Sequence, residues 1–136
     1  MELNEYHKLA MRTDDPAKYN EPINRLINGV MGLNGESGEV IDILKKALFQ
    51  GHELKKDKLV EELGDVLWYI VECVDTIGMT LEDVANANIL KLVKRFPDGF
   101  SKEASIERKD IDNSGDGYAN GEPVMPEMRD EPGCEC

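Results

Sequence analysis

The stretch LVEELGDVLWYIVECVDTI, from Leu59 to Ile77, decides the fold of this chain. At about 100° per residue, most of its apolar side chains fall within one stripe of about 100°, which consists of Leu59, Leu63, Val66, Leu67, Ile70, Val74 and Ile77. Such a stripe is typical of an amphipathic α-helix that packs against other helices. Trp68 and Val71 lie towards the opposite side, so this helix is predicted to be buried on two sides.

A domain of four helices has too few neighbours to bury both sides of this helix. We expect the cover of the second side to come from another subunit, which predicts an obligate homo-oligomer, at least a dimer. The alternative is that Trp68 is a half-exposed aromatic residue.

No segment of residues 1–103 shows the alternation of apolar and polar residues that is typical of a strand. Three further helices are therefore predicted in addition to this one. The four helices span residues 2–13, 22–49, 57–77 and 81–96. Asp57 and Thr80 are the expected N-caps of the last two, Gly51 and Gly78 follow the ends of the second and third, and Pro97 stops the fourth. The predicted fold class is therefore all-α.

Glycines recur every third residue in the second helix, at positions 29, 32, 35 and 38. Each one lowers helix stability by up to about 1 kcal/mol relative to alanine. They permit a close approach of the backbone to a neighbour, or they interrupt the helix. Both interpretations stay open at this point.

The length and charge of the chain exclude several classes of protein. The 136 residues suit one domain and carry a net charge of −12, which argues against wrapping nucleic acid or docking on an anionic membrane. No apolar run is long enough to span a membrane, the start does not resemble a signal peptide, and three cysteines make no disulfide framework. These observations favour a cytoplasmic protein.

The acidity is divided between a helical part and a tail. Residues 1–103 carry 19 acidic and 13 basic side chains, whereas residues 104–136 carry 9 acidic and 3 basic ones. Glycine and proline are frequent in the second part, and it lacks apolar periodicity. The prediction is a domain at 1–103 followed by an acidic, disordered tail at 104–136.

Two short acidic patterns lie in the predicted helices. Glu36 and Glu39 form E-x-x-E, and Glu62 and Asp65 form E-x-x-D. Residues three apart share a helix face, so each pair brings like charges together. A hard divalent cation such as Mg²⁺ relieves this repulsion with oxygen ligands. The alternative is two solvated acidic faces. A di-iron centre is not expected, because no histidine follows a glutamate by three.

Basic and amide side chains near these patterns suit a phosphate-rich ligand. Asn88, Lys91 and Arg95 share one face of the fourth helix, and Lys46 shares a face with Glu36 and Glu39. We expect the four to contact substrate phosphates. Cations near the end of a helix are also explained by its dipole alone.

Three runs together resemble the MazG-type all-α nucleoside triphosphate pyrophosphohydrolases. They are Gly32-Leu-Asn-Gly-Glu-Ser-Gly-Glu-Val40, Glu61-Glu-Leu-Gly-Asp-Val-Leu-Trp-Tyr69 and Lys91-Leu-Val-Lys-Arg-Phe-Pro-Asp-Gly-Phe100. The resemblance covers roughly residues 20–103. It implies a bundle of four to five helices completed by homo-oligomerisation as a homodimer or homotetramer, with Mg²⁺ as the cofactor and Mn²⁺ as a substitute.

The resemblance also implies an activity, the cleavage of (d)NTPs between the α and β phosphates to give a monophosphate and pyrophosphate. Glu36, Glu39, Glu62 and Asp65 would hold the metal, and Glu36 or Glu39 would activate water. A role in clearing unwanted nucleotides is expected. The alternatives are a phosphoribosyl-ATP pyrophosphohydrolase of histidine biosynthesis and a helical oligomer that binds a nucleotide or partner without turnover. Tyr6, Trp68 and Tyr69 are candidates for stacking on the base. The alternative for Trp68 and Tyr69 is a place in the core of the bundle.

Overall fold

The computed structural model describes residues 1–110, and these are helical without a strand. Five α-helices follow one another: α1 (Leu3–Ala10), α2 (Pro22–Phe49), α3 (Lys56–Thr76), α4 (Leu81–Arg95) and α5 (Lys102–Glu107). Two short 3₁₀ turns, Met11–Thr13 and Pro16–Lys18, connect α1 to α2. The all-α prediction is confirmed. No helix within these residues is both long and apolar enough to cross a membrane.

The observed helix ends differ from the predicted ones in a few places. The N-cap of α3 is Lys55 and not Asp57, which lies in the first turn, where its negative charge complements the helix dipole. After α3, Gly78 has a φ of +74°. Its N–H donates to the carbonyl of Asp75 (3.0 Å), and that of Met79 donates to Val74 (3.1 Å). This Schellman arrangement ends the helix where glycine was expected to end it.

Helix α5 continues past residue 104, the position at which the composition of the chain predicted that the tail begins. The hydroxyl oxygen of Ser101 accepts a hydrogen bond from the N–H of Ala104 (3.0 Å) and caps this helix. A cap of this kind stabilises even a short helix. The rest of the predicted tail, residues 111–136, lies outside the described part of the chain.

The chain divides into two units, Met1–Glu82 and the residues from Asp83 onwards. In the first unit, α2 and α3 pack antiparallel, with Gly29 opposite Cys73 and Gly32 opposite Tyr69. In the second unit, Nη2 of Arg95 on α4 donates to the carbonyl oxygen of Ser105 on α5 (3.1 Å).

Two of the four glycines of α2 let α3 come close. A Cβ atom at Gly32 would overlap the ring of Tyr69, and one at Gly29 would lie 2.7 Å from Sγ of Cys73. Around Gly35 and Gly38 there is open space within 4 Å. Helix α2 is continuous from Pro22 to Phe49. Close approach is therefore the correct interpretation for Gly29 and Gly32, and the helix is not interrupted.

We expect Gly32→Ala to lower the free energy of unfolding by about 1–3 kcal/mol, because the methyl group would overlap the ring of Tyr69, which would have to leave its packed position against α2. The matched control is Gly35→Ala, which is expected to raise it by up to about 1 kcal/mol through helix propensity alone. Urea unfolding of both variants measures the difference. Equal effects of the two substitutions would contradict the close contact.

The second side of α3 is covered by α1 of the same chain. Val71 is fully buried and forms a small core cluster with Ala10 and Leu81. Trp68 packs against this cluster. The indole N–H of Trp68 donates to the carbonyl of Ala10 (3.1 Å) and to Oγ1 of Thr13 (2.9 Å). The prediction that another subunit covers this side is therefore wrong. The 3₁₀ turn after α1 folds Thr13 back over α3, which the periodicity of α3 alone does not show.

Part of the apolar stripe of α3 stays open instead, although Val74 within it is buried. The exposed apolar residues on this side are Val60, Leu63 and Leu67 on α3, Ile77 at its C-cap, and Ile23, Ile27, Val30, Ile41, Leu44 and Leu48 on α2. Each set occupies a stripe of about 100° on its helix. Each stripe lies about a third of a turn past the contact with the other helix, in the same rotational sense, so in this antiparallel pair both stripes face the same side. We refer to these ten residues as the apolar face.

A buried charge network fixes the N-terminal residues on α2 and α3. Nη2 of Arg25 lies 2.5 Å from Oδ2 of Asp14 and 2.7 Å from Oδ2 of Asp75. Burial lowers the pKa of Arg25, but hydrogen bonds to Asp75 and Asp14 outweigh it, so that its pKa is raised. Nδ1 of His7 accepts from the N–H of Leu81 (3.2 Å), which leaves Nε2 to donate to Asp75 (3.1 Å).

Candidate active site

Three carboxylates from α2 and α3 converge in the first unit. Glu36, Glu62 and Asp65 each offer one oxygen, and these oxygens lie within 4.8 Å of one another. Glu36 comes one turn after Gly32 on α2, and Asp65 comes one turn before Tyr69 on α3. The contact of Gly32 with Tyr69 therefore brings together the backbones that carry Glu36 and Asp65.

Electrostatic repulsion within this cluster acts on Glu62. Burial raises its pKa, and the negative charges of Glu36 and Glu39 raise it further. A raised carboxyl pKa means that the surroundings destabilise the ionised carboxylate. A divalent cation would reverse this, and three carboxylate oxygens are a donor set that suits Mg²⁺ or Mn²⁺. The residues present thus fit the expected metal.

Glu39 lies outside the group of three. It is exposed on α2, yet its charge reaches both Glu62 and Lys46. The structure thus brings together three of the four carboxylates of the two motifs and leaves the fourth beside them.

Lys46 forms an ion pair with Asp42 one turn earlier on α2. Its hydrogen bond to this carboxylate raises the pKa of Lys46. Asp42 was not among the expected site residues, although its spacing of four from Lys46 is a signal that predicts such a pair. Lys45 pairs with the same carboxylate, so Lys46 shares Asp42 with a second ammonium group.

A cavity of about 440 Å³ adjoins the carboxylates. It is lined by Thr13, Glu36, Asp65, Trp68 and Tyr69. Sequence reasoning named the two aromatic residues but missed Thr13, which lies 55 positions before Trp68 in the chain. No local pattern connects a residue of a 3₁₀ turn with so distant a helix.

Tyr6, the remaining aromatic candidate, lies on α1 near the same carboxylates. Burial raises the pKa of its hydroxyl, and the charge of Asp65 raises it further.

The expected phosphate ligands of α4 belong to the second unit. Asn88 and Lys91 are exposed. Arg95 donates from Nη2 to Ser105, and its Nε lies 3.7 Å from Oδ1 of Asp110, whose side chain is 3% exposed. The guanidinium of Arg95 is thus engaged within its own unit. The phosphate-binding role of these residues stays a prediction.

Comparison with known proteins identifies the family. Residues 28–100 match the family described as the MazG nucleotide pyrophosphohydrolase domain. The gene 37 protein of Mycobacterium phage L5 is 36% identical over 82 residues, which are 57% of this chain and 72% of that protein. The uncharacterized protein YvdC of Bacillus subtilis (strain 168) is 48% identical over 42 residues, 31% of this chain and 40% of that protein. No solved structure matches significantly. Because the family match spans more than half of the chain and contains both acidic motifs, the chain belongs to the MazG nucleotide pyrophosphohydrolase family.

Proposed function

We propose that this protein is a Mg²⁺-dependent nucleoside triphosphate pyrophosphohydrolase. It would cleave (d)NTPs between the α and β phosphates, release a monophosphate and pyrophosphate, and clear unwanted nucleotides. The proposal rests on one observation above all, the convergence of Glu36, Glu62 and Asp65 within 4.8 Å. The family match covers the helices that present them.

The proposed chemistry divides the carboxylates by position. Glu36, Glu62 and Asp65 would hold the metal, which neutralises phosphate oxygens and lowers the pKa of a bound water. Glu39 is exposed and outside the group of three, so it is the better candidate for the base that orients the attacking water and accepts its proton. This division favours Glu39 where the sequence left Glu36 and Glu39 equal.

The four expected phosphate ligands differ in whether other groups of the protein already contact them. Arg95 is engaged by Ser105 and Asp110, whereas Lys46 shares the Asp42 carboxylate with Lys45 and keeps part of its charge for a phosphate. Asn88 and Lys91 are exposed on α4 and are the stronger candidates for contacts with phosphate oxygens.

A panel of NTPs and dNTPs with Mg²⁺ or Mn²⁺ tests the proposal. We expect pyrophosphate and the monophosphate in equal amounts, and no product after chelation of the metal. Release of orthophosphate would contradict the proposed bond cleavage. Phosphoribosyl-ATP belongs in the same panel, and its exclusive hydrolysis would overturn the proposed substrate class. Binding without any product would overturn the enzymatic function.

We also propose that the apolar face holds a second copy of the chain in a homodimer. Contiguous exposed apolar surface is rare on monomers and marks interfaces, and here it extends along two helices, with Ile41 65% and Val60 68% exposed. A second copy offers the same apolar surface, so a twofold interface would cover both.

We expect Leu63→Glu to convert the dimer into a monomer, because the interface would then have to bury an unpaired carboxylate. Size-exclusion chromatography with light scattering measures the mass. The matched control, Gln50→Glu, makes the same change of charge at an exposed polar position and is expected to remain dimeric. A monomeric wild-type protein would contradict the proposed interface.

A further inference from the structure

The cavity beside the carboxylates has one aromatic wall. The rings of Trp68 and Tyr69 meet edge to face, with centroids 5.0 Å apart and an interplanar angle of 87°. Glu36 and Asp65 line the same cavity. The same cavity of about 440 Å³ is therefore lined by two carboxylates of the proposed metal site and by two aromatic rings.

The indole N–H of Trp68 already has hydrogen-bond acceptors within the protein. This N–H donates to the carbonyl of Ala10 and to Oγ1 of Thr13. Thr13 in turn donates its own hydroxyl proton to Ala10 (2.8 Å). Since an indole has no other polar group, what Trp68 offers to the cavity is its apolar ring, held in one orientation.

The residues that hold the ring belong to the N-terminal segment, residues 3–20. This segment lies before the stretch that matches the family, residues 28–100. It is anchored by the hydrogen bond of His7 on α1 with Asp75, and by the ion pair of Asp14, which follows the 3₁₀ turn, with Arg25. A platform that is fixed before a ligand arrives loses little side-chain freedom on binding.

We propose that Trp68, held by Thr13 and Ala10, is the platform on which the base of the nucleotide stacks. The proposal depends on the proposed function for the nucleotide and adds how its base is recognised. Every base has a π-face, so stacking tolerates different bases, and the polar edge of this platform is already used within the protein. The subsite therefore takes purines and pyrimidines alike and distinguishes a nucleotide from a bare polyphosphate.

Trp68 is the one tryptophan of the chain, so its fluorescence reports on this subsite directly. The probes are the α,β-methylene analogues of a purine and a pyrimidine triphosphate, and inorganic tripolyphosphate, each titrated with Mg²⁺. We expect saturable quenching by both analogues, with dissociation constants within about tenfold of each other. Tripolyphosphate should displace them without quenching. Equal quenching by tripolyphosphate, or none by saturating analogue, would overturn the proposal.

These outcomes separate the subsite from the catalytic function. Hydrolysis without quenching would overturn the subsite and leave the enzyme. Quenching by the analogues without hydrolysis of any triphosphate would overturn the enzyme and leave the subsite.

Thr13→Val tests the role of the N-terminal segment as a positioning element. It removes one acceptor from the indole N–H and keeps the size of the side chain. We expect the dissociation constants of both analogues to rise about fivefold, while that of tripolyphosphate stays unchanged. The matched control is Thr76→Val, which removes the hydrogen bond from a hydroxyl to the carbonyl of Glu72 (2.7 Å) outside the cavity. An unchanged affinity of Thr13→Val for the analogues, or an equal loss in the control, would contradict this role.

Discussion

Glu62→Gln is expected to lower kcat/KM for pyrophosphate release by at least about a hundredfold. The amide keeps the shape of the side chain but removes one of the three anionic oxygens that lie within 4.8 Å of one another. The thermal midpoint should not fall. Burial and neighbouring negative charges already raise the pKa of Glu62, so loss of its charge relieves repulsion in the metal-free protein.

The neighbouring Glu61→Gln is the matched control for this substitution. Glu61 lies one position earlier on α3, is exposed and pairs with Lys58. The same chemical change outside the cluster is expected to leave kcat/KM within about twofold of the wild type. Activity retained in Glu62→Gln, or lost equally in Glu61→Gln, would contradict the assignment of the metal ligands.

Arg25→Met is expected to lower the free energy of unfolding by about 3–5 kcal/mol, measured by urea denaturation. Arg25 is 8% exposed, and its partner Asp14 has a side chain that is only 1% exposed. Removal of the guanidinium leaves that carboxylate buried without a cation. The methionine fills similar space, so the loss reports on charge more than on volume.

Two further variants separate this explanation from a general loss of packing. Lys58→Met breaks an ion pair between exposed side chains and is expected to leave the urea midpoint unchanged. Asp14→Asn combined with Arg25→Met removes the stranded charge and is expected to recover part of the loss. A double variant as unstable as Arg25→Met would contradict the electrostatic origin.

The helices and their ends were largely predictable because the signals for them are local. Pro22 and Gly78 mark a start and an end through their own backbone preferences, and the structure places both there. The spacing of three within each acidic motif likewise predicted carboxylates on one helix face, and Glu62 and Asp65 do converge. These patterns depend on residues within one or two turns of each other.

What the sequence did not predict depends on contacts between distant residues. The four glycines of α2 look alike in sequence, yet only Gly29 and Gly32 meet side chains of α3. Thr13 reaches Trp68 only because a 3₁₀ turn redirects the chain after Ala10. Such pairings arise from tertiary packing, which the periodicity of a single helix does not contain.

The contact between Gly32 and Tyr69 has a consequence for the choice of ion. The ring of Tyr69 lies directly against the backbone of Gly32, so α2 and α3 come closer here than a larger residue at position 32 would allow. Glu36 and Asp65 each lie one turn from this contact, which therefore sets the distance between the backbones that carry them. Mg²⁺ bonds to oxygen at about 2.0–2.1 Å and Ca²⁺ at about 2.3–2.6 Å. If the proposed metal site is correct, a larger residue at position 32 would separate the two helices and favour the larger ion, although this residue would touch no ion.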